Sequence, residues 1–153
     1  MDEKFKTVNE SRTEQTQIVF SGHINGIGRL FGGQLMEWMD VLAAVVARRH
    51  SEREVTTVSI DKVDFSSPAR LNDTVYLEGK IAHVGNTSMK VCVTAYVERL
   101  QGDRTMINKA YFTMVAMDEF ENPCRVPRLI LKTDAERAEF EEFERKRKAI
   151  ASR

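Results

Sequence analysis

Apolar residues crowd one continuous stretch of this chain and alternate along three others. Between residues 33 and 50 there is no proline and no internal glycine, and Leu35, Met36, Trp38, Met39, Val41, Leu42, Ala43, Ala44, Val45, Val46 and Ala47 leave almost no polar face. That is the pattern of a buried helix. At 1.5 Å per residue it is about 27 Å long, and Arg48, Arg49 and His50 at its end suit the negative pole of a helix C-terminus. Such a helix needs protein around it.

The alternating stretches supply the cover. Val75, Leu77 and Ile81, then Met89, Val91, Val93, Ala95 and Val97, then Ala110, Phe112, Met114 and Ala116 fall on every second position, with Glu78, Lys80, Thr94, Glu98 and Lys109 between them. These are strands with one buried face. Gly85-Asn86 and Gln101-Gly102-Asp103 interrupt them with turn chemistry, which predicts antiparallel hairpins. Between Glu54 and Phe65 the apolar phase slips from Val58 and Ile60 to Val63 and Phe65, which predicts a strand with a bulge near Asp61-Lys62. Ser66-Ser67-Pro68 ends that strand, and Ile18-Val19-Phe20 is expected as an edge strand before the helix.

Beyond Pro127 the chain turns polar. Thr133 and Glu136 have capping-box spacing for a second helix, whose only large apolar residues are Phe140, Phe143 and Ile150, so it docks by a narrow stripe at most and is expected to be peripheral or frayed. The pattern divides the chain into a flexible N-terminus (1–13), one folded domain (14–131) and a charged C-terminal helix or tail (132–153).

Composition narrows the function classes. A chain of 153 residues with 42% hydrophobic and 30% charged residues reads as one soluble globular domain. Twenty-three basic residues balance twenty-three acidic ones, so no net field draws nucleic acid. The longest apolar run falls short of the ~20 residues that span a bilayer. Cys92 and Cys124 belong to no CxxC pair, so neither a disulfide framework nor a zinc site is indicated. The polar start of the chain lacks a signal-peptide core. A cytoplasmic protein without nucleic-acid partner, membrane insertion or bound metal is the expectation.

Chemistry concentrates around the start of the helix. Gly26, Gly28, Gly32 and Gly33 match neither a dinucleotide fingerprint nor a phosphate loop. They either allow a tight path into the helix or leave its unpaired N–H groups open to a carbonyl oxygen or anion. Asp40 lies two turns into the most apolar segment, where an unpaired carboxylate is costly. It either shares a narrow solvated face with Glu37 and Ala44, or borders a pocket as general base or nucleophile. His23, His50 and His83 have no metal-ligand spacing, and no serine elbow accompanies them.

The segment from His23 to Asp40 contains N-x-x-G-x-x-F-G-G-x-x-M-x-x-M-D, formed by Asn25, Gly28, Phe31, Gly32, Gly33, Met36, Met39 and Asp40. It resembles the signature of hotdog-fold acyl-CoA thioesterases, in the cytosolic acyl-CoA hydrolase branch. The resemblance continues through the strand from Val58 to Pro68 and the turn Val84-Gly85-Asn86-Thr87-Ser88, covering about residues 15 to 130. It implies an α+β fold in which an antiparallel sheet wraps a long central helix, with sheets paired edge to edge in a homodimer or trimer of dimers and active sites across the interface. The activity implied is hydrolysis of acyl-CoA to free acid and CoA, without a cofactor, since CoA enters as part of the substrate. Residue by residue, Asp40 matches the catalytic acid, Asn25 the asparagine of the preceding loop, and Gly33 the position whose N–H polarises the thioester carbonyl. Gly32, Gly85, Asn86, Thr87 and Ser88 match positions bordering CoA; Arg70 and Arg128 are cations of the type its phosphates need. A non-catalytic acyl-CoA-binding hotdog protein and a hotdog enoyl-CoA hydratase, which pairs aspartate with histidine, are the alternatives.

Overall fold

The helix foreseen at residues 33–50 organises the molecule. The computed structural model describes residues 3–152. Along the chain run β1 (Phe5–Thr7), α1 (Val8–Ser11), β2 (Thr13–Ile18), a 3-10 turn (Ser21–His23), α2 (Gly32–Ser51), β3 (Glu54–Phe65), β4 (Thr74–Val84), β5 (Ser88–Glu98), β6 (Arg104–Met117), β7 (Arg128–Ile130) and α3 (Asp134–Ala151). Leu35, Trp38, Met39, Leu42, Ala43, Val46 and Ala47 form the buried stripe of α2, at the spacing that puts them on one side of the helix. Glu52, in the left-handed region at φ 58°, ends it by donating its N–H to the Arg48 carbonyl.

The sheet that wraps α2 is antiparallel in the order β2-β4-β5-β6-β3. Its inner face presents Val75, Leu77, Ile81, Met89, Val91, Val93, Ala110, Phe112, Met114 and Ala116 to the helix, as the alternation foretold. Gly79 marks the closest crossing: a Cβ there would stand 3.0 Å from Val46 and 3.4 Å from Leu42. The expected bulge in β3 is present between Asp61 and Asp64, with Lys62 at φ 55°, and a second lies between Thr57 and Ser59.

Two expectations need correction. The strand before α2 is Thr13–Ile18, not Ile18-Val19-Phe20. Its Thr, Glu and Gln residues give no apolar signal, whereas Val19 is fully buried in the loop that follows, exchanging backbone bonds with Asn72 and Asp73. The N-terminal region carries β1 and α1, with β1 lying parallel to β7 and Val8 and Ser11 buried. α3 is peripheral, as expected, and of the two readings it is docked by a narrow stripe rather than frayed. Phe143 is buried with Ala82, Cys92 and Tyr111 on the outer face of the sheet, Glu139 accepts from the Tyr111 hydroxyl at 2.8 Å, and Glu144 pairs with His83 at 2.7 Å. The Thr133 side chain accepts the Glu136 N–H, but the Glu136 carboxylate caps Lys132 instead of Thr133.

Candidate active site

The glycine-rich loop is shaped by one asparagine. The Asn25 side-chain oxygen accepts the N–H groups of Ile27 (3.0 Å) and Arg29 (3.2 Å), while its backbone N–H donates to the Arg29 carbonyl at 2.8 Å. Gly28 closes the turn at φ 78°, a conformation costly for residues with a Cβ. Leu30 N–H to Ala69 O, 2.8 Å, then ties the loop to the segment after β3. Asn25 is exposed, and its side-chain NH2 has no partner within the described residues.

From this loop the chain passes directly into α2. Gly32 and Gly33 occupy its first turn, where N–H groups have no intrahelical acceptor and the helix dipole favours negative charge. At Gly33 a Cβ would stand 2.7 Å from the Phe31 ring, so any side chain there must displace that ring. Beside the first turn a cleft of about 270 Å³ is lined by Asn25, Arg29, Gly32, Leu35, Phe65 and Ile107, among others.

Asp40 is elsewhere. Eight residues beyond Gly32, it lies about 12 Å farther along the helix axis and does not line that cleft. Its carboxylate is half-buried and accepts the Thr57 hydroxyl at 2.8 Å. Thr57 comes from the Glu54 end of β3 and also touches the Met114 sulfur, at 3.3 Å. Sequence reasoning missed Thr57: a threonine in a strand is the commonest of signals, and nothing local distinguishes it. Within one chain Asp40 thus stands on a partly solvated face, held by a hydroxyl.

The turn from Gly85 to Ser88 sits at the opposite end of the sheet from the Asn25 cleft, beside the last residues of β6; Ala116 N–H donates to Thr87 O at 3.0 Å. Arg128 is consumed there. Its Nη2 donates to the Gly85 carbonyl at 2.6 Å and the Val126 carbonyl at 2.8 Å, and burial draws its pKa down. Its Nη2 is thus engaged by backbone carbonyls. Arg125 bonds the Asn86 side chain at 3.1 Å and pairs with Glu3. Arg70 is exposed at the rim of the Asn25 cleft, its residue bridged to Arg29.

The histidines are occupied. His23 Nδ1 accepts the Phe20 N–H at 2.9 Å, so a neutral ring keeps its proton on Nε2 and has no basic nitrogen left. Buried His50 donates Nε2–H to the Pro127 carbonyl at 2.9 Å, its pKa lowered by burial. Among the described residues no His, Cys, Asp and Glu cluster fits a metal ion.

The family model of the thioesterase superfamily matches residues 27–102. The uncharacterized acyl-CoA thioester hydrolase YkhA of Bacillus subtilis is 39% identical over 128 residues, which are 83% of this chain and 74% of that protein. The chain belongs to the thioesterase superfamily. The fold agrees with solved members. An apo hexameric acyl-CoA thioesterase superposes with a TM-score of 0.87 at 38% identity, over 95% of this chain and 97% of the other. An acyl-CoA hydrolase of Staphylococcus aureus, in complex with butyryl coenzyme A, coenzyme A and coenzyme A disulfide, gives 0.86 at 28% identity over 97% and 94%. That enzyme has also been solved with an asparagine, an aspartate or a threonine replaced by alanine.

For a thioesterase the chemistry divides between two places. The first turn of α2 offers donors for a carbonyl oxygen beside a cleft. Asp40, backed by Thr57, offers a base beside an uncovered helix face where Val41 is 53% exposed. Within one chain the two are not brought together.

Proposed function

We propose that the chain hydrolyses acyl-CoA thioesters to carboxylic acid and CoA, in sites assembled between two copies of itself. The observation that carries this is the free edge of β3. β3 bonds β6 on one side only, and Val58, Ile60 and Phe65 are 60%, 39% and 59% exposed along it. A long exposed apolar edge is a template for pairing. If two β3 strands pair antiparallel about a twofold axis, the Phe65 end of one meets the Glu54 end of the other. Asn25, Gly32 and Gly33 then face Asp40 and Thr57 of the partner subunit, and the partner's Gly85–Ser88 turn approaches the same cleft. That keeps Gly85, Asn86, Thr87 and Ser88 as candidates for bordering CoA.

In this site the Gly33 N–H, with Gly32 beside it, receives the thioester oxygen, and the free Asn25 NH2 orients the carbonyl or the water. The Asp40 carboxylate takes a proton from water as the oxygen attacks the carbonyl carbon. The tetrahedral oxyanion is held at the helix N-terminus. Its collapse breaks the C–S bond, and the proton passes from Asp40 to the departing CoA thiolate. Thr57 positions Asp40. Support comes from the Staphylococcus aureus hydrolase: its altered asparagine, aspartate and threonine stand in the order and at the intervals of Asn25, Asp40 and Thr57 here. The hydratase alternative loses its basis with His23 Nδ1 occupied.

On the same reading the protein is a homodimer or trimer of dimers, in line with the hexameric neighbours. It works in the cytoplasm on acyl-CoA of fatty acid metabolism. The free thiols of Cys92 and Cys124 fit a reducing compartment, and no helix among the described residues is long and apolar enough to cross a membrane. The test is a panel of acyl-CoAs with detection of released thiol. Turnover of at least one chain length is expected; binding without turnover across the panel would leave a non-catalytic acyl-CoA carrier.

A further inference from the structure

The inner row of β6 holds one residue of the wrong kind. Ala110, Phe112, Met114 and Ala116 face α2, and two residues before Ala110 the same row carries Asn108, whose cross-strand partner Ala95 belongs to the main core. Asn108 is 0% exposed, and neither its side-chain oxygen nor its NH2 has a hydrogen-bond partner among the described residues. Buried amides without partners are rare, and a polar residue in an apolar row costs stability unless function keeps it there. Its place is beside the candidate site. On its other side Asn108 pairs directly with Phe65, and opposite residues of an antiparallel pair project to the same face. The Phe65 ring lies 3.6 Å from where a Cβ on Gly32 would stand. A bulge contributes as well: Ala95 pairs with Asn108 and Tyr96 with Met106, so Ile107 is the extra residue, and Ile107 and Asn108 are buried in succession. Phe65 and Ile107 line the Asn25 cleft, with Leu35 between them and the helix start, whereas Asn108, the neighbour of both, does not reach its surface. The cleft thus has a largely apolar wall, suited to hydrocarbon, with one unsatisfied amide behind it.

We infer that Asn108 is a specificity residue for the acyl group, selecting short acyl thioesters that carry a hydroxyl or keto oxygen on the third carbon. This rests on the acyl-CoA reading above and names a substrate class within it. With the thioester oxygen at the N–H groups of the first turn, the acyl carbons extend along the wall made by Phe65 and Ile107. A cross-strand step is about 5 Å, so the amide opposite Phe65 is a few bonds from the thioester, the reach of an oxygen on the third carbon. A hydroxyl there donates to the Asn108 side-chain oxygen or accepts from its NH2, and a keto oxygen accepts from the NH2. A plain hydrocarbon chain leaves the amide unpaired. The site therefore discriminates by the polar atoms that the wrong substrate leaves unsatisfied. Asn108 takes no part in breaking the C–S bond.

Two measurements test it. In the first, kcat/KM is determined for butyryl-CoA and for each enantiomer of 3-hydroxybutyryl-CoA, which differ only in that oxygen, with the unaltered protein and with Asn108→Leu and Asn108→Ala. A neutral hydrogen bond is worth about tenfold, so the ratio of the better hydroxylated substrate to the plain one is expected to fall about tenfold in both variants. An amide that only supports the fold moves both substrates together, and a ratio left unchanged overturns the inference. The second needs neither turnover nor a variant. Calorimetry compares the thioethers S-(3-hydroxybutyl)-CoA and S-butyl-CoA on the unaltered protein, where the hydroxylated one is expected to bind about tenfold more tightly; equal or weaker binding overturns the inference. Should neither variant fold, this second measurement decides alone. The two readings fail separately: no turnover of any of the CoA esters refutes the hydrolase reading and leaves the thioethers to judge Asn108, whereas hydrolysis with an unchanged ratio sinks Asn108 alone.

Discussion

On the proposed function, the two ends of β3 carry different halves of one chemistry. Near Phe65 lie the cleft, the unpaired N–H groups of Gly32 and Gly33, the Asn25 amide and two arginines, with Asp40 absent from the lining. Near Glu54 lies the Asp40 carboxylate, set by Thr57, beside exposed Val41. Donors without a base cannot activate water, and a base without donors cannot hold an oxyanion. On the proposal above, the free edge of that strand is part of the catalytic design, because a twofold pairing there reunites the halves.

The sharpest way to break the contrast is at the base. Asp40→Asn keeps the size of the side chain and the Thr57 contact but removes the basic oxygen. Hydrolysis is expected to fall about 10²- to 10⁴-fold while CoA binding, measured by calorimetry, is retained. The next largest effect is expected at the edge. Val58→Arg places a charge on an exposed position of β3, so the single chain still folds, but light scattering should report smaller species and activity should drop more than ~10-fold as sites come apart. An undiminished assembly with full activity would show that β3 is not the joining edge. Thr57→Val removes a bond to a carboxylate without leaving a void. Such bonds are worth about 1.5–3 kcal/mol, and kcat is expected to fall about tenfold with KM for acyl-CoA little changed.

The smallest effects belong to the outer face, which touches neither half of the site. His83 is held below its ordinary pKa by burial, and Glu144 below its own by the His83 contact. Both shifts have the same sign for stability: the unfolded chain binds the extra protons, so docking of α3 weakens as pH falls below the usual histidine range near 6.5. Buried His50, also lowered, adds to the slope. Melting temperature should therefore decline on acidification through that range, and less steeply in a chain ending after Leu131. That truncation is expected to keep a cooperative melt at a lower temperature, since what it chiefly uncovers is an outer-face patch of Ala82, His83, Cys92 and Tyr111. Loss of cooperativity would make Phe143 part of the main core.

Much of this architecture could be read from the chain, and the parts that escaped share a cause. α2 and β4 to β6 declared themselves because each buries one periodic set of side chains, and the phase slip at Asp61-Lys62 marked a real bulge. β2 escaped because its residues are polar and its pairing with β4 is a backbone affair. The partners of α3 escaped because Tyr111 and His83 reach it from the sheet, and helix composition cannot reveal partners on another element. Within the candidate site, Asp40 and the glycines at the helix start were visible as anomalies of type and place, and Asn25 only through the resemblance. Thr57 was not, and for Arg128 a free cation and one whose Nη2 is bonded to carbonyls are the same letter. Above all, no pattern in the sequence states that Asn25 and Asp40 of one chain stand apart.

That separation is tested most directly by mixing defects. Asn25→Ala and Asp40→Asn chains, co-expressed with different tags and purified through both, give pairs in which one site holds Asn25 and Asp40 intact and the other lacks both. The shared-site account expects about half the unaltered activity per mixed pair, far above either parent variant alone. A mixed pair no more active than the better parent would mean that each chain builds its site by itself.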